Sequence, residues 1–170
     1  KVILVLLFVT FYSFIVQAQQ PTNWMNYTDM KQVNSIQASE IGVWATSGGG
    51  GFFYDASSQA YKKLTKTDGL FSTSLTAVCI DNYGKIWFGS SSGSLNVFDP
   101  LNKTIRTILD IYNSDRVNKQ INELRVSGDT IFISTEFGLS LMNSKSLVFY
   151  DTYYKFGNLS SNIRVVSTFK

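Results

Sequence analysis

Three short segments are best suited to contact a ligand. Residues 48–51 are four glycines, which leave the backbone bare. Ser90, Ser91 and Ser92 carry hydroxyls, and Glu136 and Phe137 carry a carboxylate and an aromatic ring. A phosphate-binding P-loop leads into a helix through Lys-Ser or Lys-Thr, and neither the glycines nor the serines do so. Hydroxyls, bare backbone and an aromatic ring instead favour a sugar, a peptide or another polar ligand.

The chain lacks the side chains that most hydrolytic sites need. It contains no histidine, and Cys79 is its single cysteine. Serine–histidine–aspartate triads and histidine zinc sites are therefore excluded within these residues. Cys79 lies in an apolar segment with no imidazole to activate it and no second cysteine to form a disulfide, so we interpret it as structural. We predict no catalytic, cofactor-binding or metal-binding residue and no enzymatic activity, since an enzyme would need a catalytic pair from elsewhere.

The acidic residues are better explained by turns. Asp55, Asp99 and Asn143 each follow a short apolar strand and recur once per repeat, so they are too far apart for the two carboxylates of a glycosidase and are interpreted as turn caps. Asp81 begins the turn Asp-Asn-Tyr-Gly, which lacks the alternating acidic ligands and the distal glutamate of a calcium loop. A hairpin in which the Asp81 carboxylate accepts local backbone N–H groups is the preferred interpretation.

These turns join short strands that repeat along the chain. Trp44 aligns with Trp87 and then with Phe132, which gives a period of about 43 to 45 residues. Each unit contains four short apolar segments of strand type, and none shows helical periodicity. A period of this length with four strands and an aromatic residue per unit is typical of a β-propeller.

The sequence therefore predicts an all-β fold, a β-propeller fragment of about three to three and a half four-stranded antiparallel blades. Residues 19–170 form this partial propeller, with blades at about 33–64, 75–109 and 121–152 and the start of a further blade at 161–170. Residues 23–28, which include Trp24 and Tyr27, are predicted to be an outer strand that closes the ring. Equivalent positions in the blades place residues 48–51, Ser90 to Ser92 and Glu136 with Phe137 on one face, towards the central channel. This face is the candidate surface for a ligand or partner, with plain loops as the alternative.

The first 18 residues are predicted to be a cleaved signal peptide. A basic Lys1 precedes an apolar run to Val16, and Val16-Gln17-Ala18 resembles an A-x-A cleavage site. The alternative is a membrane anchor, but about 15 apolar residues are fewer than the roughly 20 that a span requires. We therefore expect export and no stable membrane span in the mature fragment.

The net charge of +3 is small, and the basic residues are scattered along the chain, so we expect no nucleic-acid partner.

The motifs resemble a known repeat. Residues 67–70 (T-D-G-L), 81–90 (D-N-Y-G-K-I-W-F-G-S) and 93–99 (G-S-L-N-V-F-D) look like the two-component regulator propeller repeat. From Trp24 to Phe169 the arrangement is also similar to the amino-terminal propeller of PorZ-type proteins, which are accessory components of type IX secretion. The segment 128–138 (G-D-T-I-F-I-S-T-E-F-G) is part of this second resemblance.

The resemblance implies export to the periplasm or cell surface of a bacterium. It also implies two functions, and we leave both open. One is a non-catalytic, exported binding or scaffolding propeller, acting in type IX secretion and cell-surface assembly. The other is the extracytoplasmic ligand-sensing propeller of a hybrid two-component histidine kinase. The expected partners are the remainder of its own propeller, together with other cell-envelope proteins or a glycan or peptide ligand.

Overall fold

Within residues 28–159 and 161–169, which the computed structural model of the protein describes, the chain forms twelve β-strands. The strands are β1 (Val33–Ser39), β2 (Gly42–Ser47), β3 (Gly50–Asp55), β4 (Ala60–Leu64), β5 (Leu75–Ile80), β6 (Ile86–Ser90), β7 (Leu95–Asp99), β8 (Thr104–Ile108), β9 (Ile121–Ser127), β10 (Thr130–Thr135), β11 (Gly138–Asn143) and β12 (Phe149–Tyr153). One turn of 3-10 helix, Lys66–Asp68, lies between β4 and β5.

The strands form three separate antiparallel sheets, each in the order of the chain. The sheets are β1-β2-β3-β4, β5-β6-β7-β8 and β9-β10-β11-β12. Within each sheet, every strand is hydrogen-bonded to the next strand in sequence, so each sheet is an up-and-down meander of one repeat unit. The all-β fold and the partial β-propeller are therefore confirmed, and we call the three sheets blades 1, 2 and 3.

The blades pack face to face through two apolar cores. The core between blades 1 and 2 contains Trp44 and Leu64 from one side and Phe88 and Phe98 from the other. The core between blades 2 and 3 contains Trp87 and Val97 on one side and residues of β9 and β10 on the other. Because blade 2 is covered on both sides, every residue of β6 is buried, which explains why its sequence is an apolar run without alternation.

The three repeated aromatic residues occupy the same position in their blades. Trp44 lies opposite Phe53 on β3, Trp87 opposite Val97 on β7, and Phe132 opposite Leu141 on β11. Trp44 and Trp87 point towards the following blade and are 6% and 0% exposed. Phe132 is only half-buried, since the described residues contain no fourth sheet on its side of blade 3.

One side chain near the start of each blade donates a hydrogen bond to the backbone one repeat further on. Asn34 Nδ2 donates to the Leu75 carbonyl at 2.7 Å, and Thr76 Oγ1 donates to the Ile121 carbonyl at 2.5 Å. Asn122 Nδ2 donates to the carbonyl of Val165 at 2.8 Å. The three donors are the second residues of β1, β5 and β9. The first two acceptors, Leu75 and Ile121, are the first residues of the next blade. Val165 is therefore equivalent to them as an acceptor.

Residues 161–169 run beside β9 without pairing as a strand. The Val165 N–H donates to the Thr135 carbonyl at 2.9 Å, and the Thr168 N–H donates to Glu123 Oε2 at 2.6 Å. The start of a further blade at 161–170 therefore stays a prediction. The predicted signal peptide at 1–18 lies outside the described residues, as does the predicted closing strand at 23–28 apart from Thr28.

The Asp68-Gly69-Leu70 turn lies between blades 1 and 2 and closes the gap between them. The Thr65 N–H donates to Asp68 Oδ2 at 2.8 Å, and Gly69 has a φ of 108°, which only glycine adopts readily. Leu70 is 3% exposed and belongs to the core between these blades.

Candidate functional site

The turns between the second and third strands of the blades share a hydroxyl that closes each turn. Ser47, Ser90 and Thr135 are the last residues of β2, β6 and β10, and all three are fully buried. Ser47 Oγ donates to the Gly50 carbonyl and Thr135 Oγ1 to the Gly138 carbonyl, while Ser90 Oγ accepts the Ser94 N–H. Of the three, only Ser90 is recognisable from the sequence, because a hydroxyl at a strand end has no distinctive pattern.

The three predicted serines of blade 2 are largely engaged with each other and with a neighbouring connector. Ser90 Oγ lies 3.1 Å from Ser92 Oγ and 2.7 Å from Ser94 Oγ. Ser91 Oγ donates to Ser74 Oγ at 3.0 Å, and the Ser91 N–H donates to the Ser74 carbonyl at 3.0 Å. Ser91 and Ser92 remain partly exposed, so both hydroxyls also reach the surface.

Glu136 and Phe137 form the corresponding turn of blade 3. The Glu136 N–H donates to the Gln120 carbonyl at 3.1 Å, and its carboxylate pairs with Arg164 Nε at 2.8 Å. Phe137 is 6% exposed and packs into the core between blades 2 and 3. Phe137 is therefore mainly a core residue, and the Glu136 side chain, which is 15% exposed, has Arg164 as its counter-ion.

A cation–aromatic cluster lies beside this turn. The Arg116 guanidinium lies 4.1 Å from the centroid of the Tyr154 ring and 5.5 Å from that of Phe137, and Arg116 Nη1 donates to Asn162 Oδ1 at 2.7 Å. Arg116, Tyr154 and Asn162 lie in irregular connectors, which carry no periodicity, so the sequence analysis did not identify them.

Both predicted turns contact the same connector, residues 109–120. A Cβ on Gly93 would lie 2.8 Å from Ile111 and 2.9 Å from Lys119, so the serine turn rests on the connector. The turn of Glu136 contacts Gln120, and Arg116 stacks against Phe137. We call Ser90, Ser91, Ser92, Glu136, Phe137 and Arg116 the turn face. Its hydroxyls, carboxylate and guanidinium suit polar recognition, and it presents no activated nucleophile.

The opposite face carries three equivalent caps. Asp55 Oδ1 accepts the N–H groups of Ser57 and Ser58, at 2.8 and 3.2 Å. Asp99 Oδ1 and Asn143 Oδ1 accept the N–H groups two and three residues further on in the same way. Hydrogen bonds from the Ser57 hydroxyl and from backbone N–H groups lower the pKa of Asp55 to about 2. The interpretation of these residues as turn caps is therefore confirmed.

Asp81 anchors the hairpin between β5 and β6. Its Oδ1 accepts the N–H groups of Tyr83 and Lys85, both at 2.9 Å, and its Oδ2 accepts the Trp87 indole N–H at 2.8 Å. The local backbone bonds agree with the hairpin that the sequence predicts. The Tyr83 hydroxyl donates to Asp129 Oδ1 at 2.8 Å, which raises the pKa of Tyr83.

The described part of the chain contains no reactive thiol, no metal-binding cluster and no membrane-spanning helix. Burial raises the pKa of the Cys79 thiol, so this cysteine is unreactive. Residues 28–159 and 161–169 contain no group of three or more acidic or cysteine side chains placed to hold a metal ion. No helix among these residues has the length and apolar character that crossing a membrane requires.

A family model for the N-terminal β-propeller domain of PorZ, of the type IX secretion system, matches residues 43–169. This match extends over more than half of the chain. The chain belongs to the PorZ N-terminal β-propeller family. No match was found among curated proteins.

Solved structures show the same fold. PorZ of Porphyromonas gingivalis, a surface component of its type IX secretion system, is 19% identical with a TM-score of 0.66, covering 73% of this chain and 17% of its own. The extracellular domain of a hybrid two-component system of B. thetaiotaomicron is 19% identical with a TM-score of 0.60, covering 70% of this chain and 16% of its own. Hydrazine synthase of Kuenenia stuttgartiensis is 15% identical with a TM-score of 0.63, covering 86% of this chain and 40% of its own.

The chain therefore spans less than half the length of these solved relatives. At such identities the likeness concerns the fold alone, and this fold occurs in a secretion component, a sensor and an enzyme.

Proposed function

We propose that this chain is part of an exported, non-catalytic propeller that acts as a binding or scaffolding module at the bacterial cell surface, in type IX protein secretion. The observation that carries the proposal is the PorZ family match over residues 43–169. The absence of histidine from the sequence and the burial of Cys79 also favour binding over catalysis.

We further propose that the turn face is the surface that meets a partner. The residues assigned to this contact are Ser90, Ser91, Ser92, Glu136 and Phe137, with Arg116 added from the structure. Ser91, Ser92 and Arg116 are its partly exposed members, whereas Ser90 and Phe137 are buried and hold the two turns in place. Hydroxyls, a carboxylate and a guanidinium in one region suit an envelope protein, a glycan or a peptide, all of which present hydrogen-bonding groups. Binding residues are often located on loops that a rigid scaffold positions, and here the strands of blades 2 and 3 provide that scaffold.

A second candidate function is ligand sensing for a hybrid two-component histidine kinase. The fold match to the extracellular domain of such a system favours it. The two functions predict different consequences when the protein is lost. Loss of a secretion component prevents surface delivery of other proteins, whereas loss of a sensor changes transcription in response to a ligand.

The decisive experiment is deletion of the gene in its own host, followed by fractionation of the cells. We expect the protein itself in the envelope fraction of the parent strain and type IX cargo retained inside the deletion strain. Normal cargo delivery together with a lost transcriptional response would support the sensor instead.

Complementation of this strain tests the turn face. Ser92→Arg adds bulk and charge to the partly exposed serine turn, and we expect it to restore secretion poorly. Asn102→Arg is the matched control, because it makes the same change in a turn on the opposite face of the same blade. Equal complementation by both variants would overturn the assignment of the turn face.

A further inference from the structure

A cavity of about 460 Å³ opens between blades 1 and 2 on the face opposite the turn face. This volume lies within the range of roughly 300 to 1,000 Å³ that is usual for ligand sites. Its walls include Trp44, Phe53 and Phe98, with ring centroids of Phe53 and Phe98 at 4.8 and 5.6 Å from that of Trp44. Ile41 and Tyr61, which are 70% and 67% exposed, stand at its rim. We call this cavity the inter-blade groove.

The same place between blades 2 and 3 is closed by the hairpin of blade 2. The hairpin between β5 and β6 extends over five residues, and from it Asn82 Nδ2 donates to the Gly128 carbonyl at 2.9 Å and Tyr83 Oη to Asp129 at 2.8 Å. Beneath it Trp87 is fully buried, and Asp81 accepts its indole N–H. The corresponding hairpin of blade 1 consists of Glu40 and Ile41 alone, so it has no arm that reaches across to blade 2.

A second difference leaves the groove open. Gln59, Lys103 and Leu147 are equivalent residues, each four positions after a capping residue, and their φ angles are 53°, 55° and 58°. Leu147 packs against the core between blades 2 and 3. Its counterpart in blade 2 is the exposed Lys103. The interface between blades 1 and 2 therefore lacks the leucine as well as the hairpin arm.

Two charged side chains line the groove, and they differ in whether neighbouring groups stabilise the charge. Asp55 and Lys62 are its charged lining residues. Asp55 Oδ1 already accepts two backbone N–H groups and the Ser57 hydroxyl. Lys62 Nζ lies 5.9 Å from the centroid of the Phe98 ring, and in the part of the chain that the structure describes it has no carboxylate within ion-pair distance. The groove therefore favours an anionic group beside Lys62.

We propose that the inter-blade groove binds a peptide segment of a partner protein, which inserts one aromatic side chain against Trp44, Phe53 and Phe98 and places an acidic group beside Lys62. Ring edges and faces converge on the groove, and such surroundings suit another aromatic ring. A sugar would need several free polar partners, and the Asp55 carboxylate is engaged in its own turn. This site is separate from the turn face and does not depend on the role in secretion.

The test is direct binding of labelled tetrapeptides to the full-length protein that contains this chain, measured by fluorescence polarisation. The probes are Gly-Phe-Asp-Gly, Gly-Ala-Asp-Gly and Gly-Phe-Lys-Gly. We expect the first to bind roughly ten- to a hundredfold more tightly than the second, since burial of the aromatic ring supplies most of the affinity. We expect the third to bind about two- to fivefold more weakly than the first.

Two variants and their counterparts in blade 2 assign the binding to the groove. Ala60→Trp fills the groove from an exposed strand position and should weaken Gly-Phe-Asp-Gly roughly tenfold or more, whereas Lys62→Ala should weaken it about two- to fivefold. Thr104→Trp and Arg106→Ala make similar changes at the equivalent positions of blade 2, where the interface is closed, and should leave affinity unchanged.

Several results would overturn the proposal. These are no binding of Gly-Phe-Asp-Gly, no preference over the alanine peptide, or equal loss with Thr104→Trp. Equal affinity for the Asp and Lys peptides would refute the role of Lys62. If circular dichroism shows that Ala60→Trp is unfolded, Ser58→Trp in the exposed turn at the groove replaces it with the same expected loss.

Discussion

Asp81 makes three hydrogen bonds that together fix one hairpin and one core aromatic residue. It is 5% exposed, so its carboxylate is stabilised by the N–H groups of Tyr83, Lys85 and Trp87 rather than by water. The indole of Trp87 is fully buried and would have no acceptor if this side chain were removed. A single carboxylate therefore couples the surface turn of blade 2 to its core.

The first prediction concerns this carboxylate. Asp81→Ala should lower the free energy of unfolding of the full-length protein by about 2 to 5 kcal/mol, because it leaves a buried indole N–H unpaired and frees the turn. Asp81→Asn retains one side-chain oxygen and should cost less. Thermal unfolding followed by circular dichroism measures both, and an Asp81→Ala midpoint equal to the wild type would contradict the prediction.

The second prediction concerns acid stability. The folded pKa of Asp55, about 2, lies below its usual value of 3.8, and hydrogen bonds in the Asn102 turn lower that of Asp99 as well. The ionised carboxylates therefore contribute stability that is complete above about pH 4 and is lost as the pH falls through their folded pKa values, about 2 for Asp55. Asn143 holds the same turn in blade 3 without a charge, so Asp55→Asn with Asp99→Asn should retain the turns.

We expect the melting temperature of this double variant to fall less steeply than that of the wild type between about pH 4 and pH 2. The comparison needs only melting curves at a series of pH values. Identical slopes for the two proteins would show that these caps do not contribute to the acid response.

Some of the residues that form regular hydrogen bonds can be predicted from the sequence, and others cannot. Asp55, Asp99 and Asn143 are recognisable, because a carboxylate or amide after an apolar strand is a common turn signal. Ser47, Ser90 and Thr135 make equally regular bonds, but a hydroxyl residue at the end of a strand is compatible with many roles. The stacking of Arg116 on Tyr154 depends on the path of two connectors, which local propensity does not determine.

At the scale of the strands, blades 2 and 3 approach each other closely at Gly89. A Cβ at this position of β6 would lie 2.6 Å from Ile121 Cγ2 and 3.4 Å from Ala77 Cβ. The inner strand of blade 3 can therefore approach β6 only because residue 89 has no side chain. The spacing of the blades depends on this glycine as well as on the apolar residues around it.

The third prediction follows from this contact. Gly89→Ala should destabilise the protein by about 1 to 3 kcal/mol through overpacking, and adding Ile121→Ala should make the combined loss smaller than the sum of the single losses. Gly48→Ala is the control, since a Cβ there meets no atom within 4 Å, and it should be nearly neutral. Strict additivity in chemical denaturation would argue against the contact.

The strands were predictable because each repeat brings its own turn signals, such as Asp81 to Gly84, and its own apolar segments. The connectors were not, because residues 109–120 and 154–164 lack both periodicity and a repeated motif. The surroundings of Glu136 and Phe137 therefore emerged only from the structure.

At the scale of the whole molecule, blade 3 presents an aromatic residue on a face that no described sheet covers. Phe132 is half-buried, whereas its counterparts Trp44 and Trp87 are only 6% and 0% exposed. Residues 165–168 lie beside β9 on this side and contact Asn122 and Glu123. We infer that a further blade packs on Phe132 in the full-length protein.

The fourth prediction tests this inference. In the full-length protein, Phe132→Ala should cost about 3 to 5 kcal/mol, the usual loss for a phenylalanine in a core. Leu101→Ala removes a side chain that is 87% exposed and should change stability by less than about 0.5 kcal/mol. Similar small effects for both, by chemical denaturation, would mean that this side of blade 3 stays in water.

The bonds from Asn34, Thr76 and Asn122 each join one repeat to the next by the same kind of contact. Gene duplication or loss of a whole unit would therefore create or remove one such link and leave the others as they are. This link between repeats therefore does not itself limit how many units can follow one another.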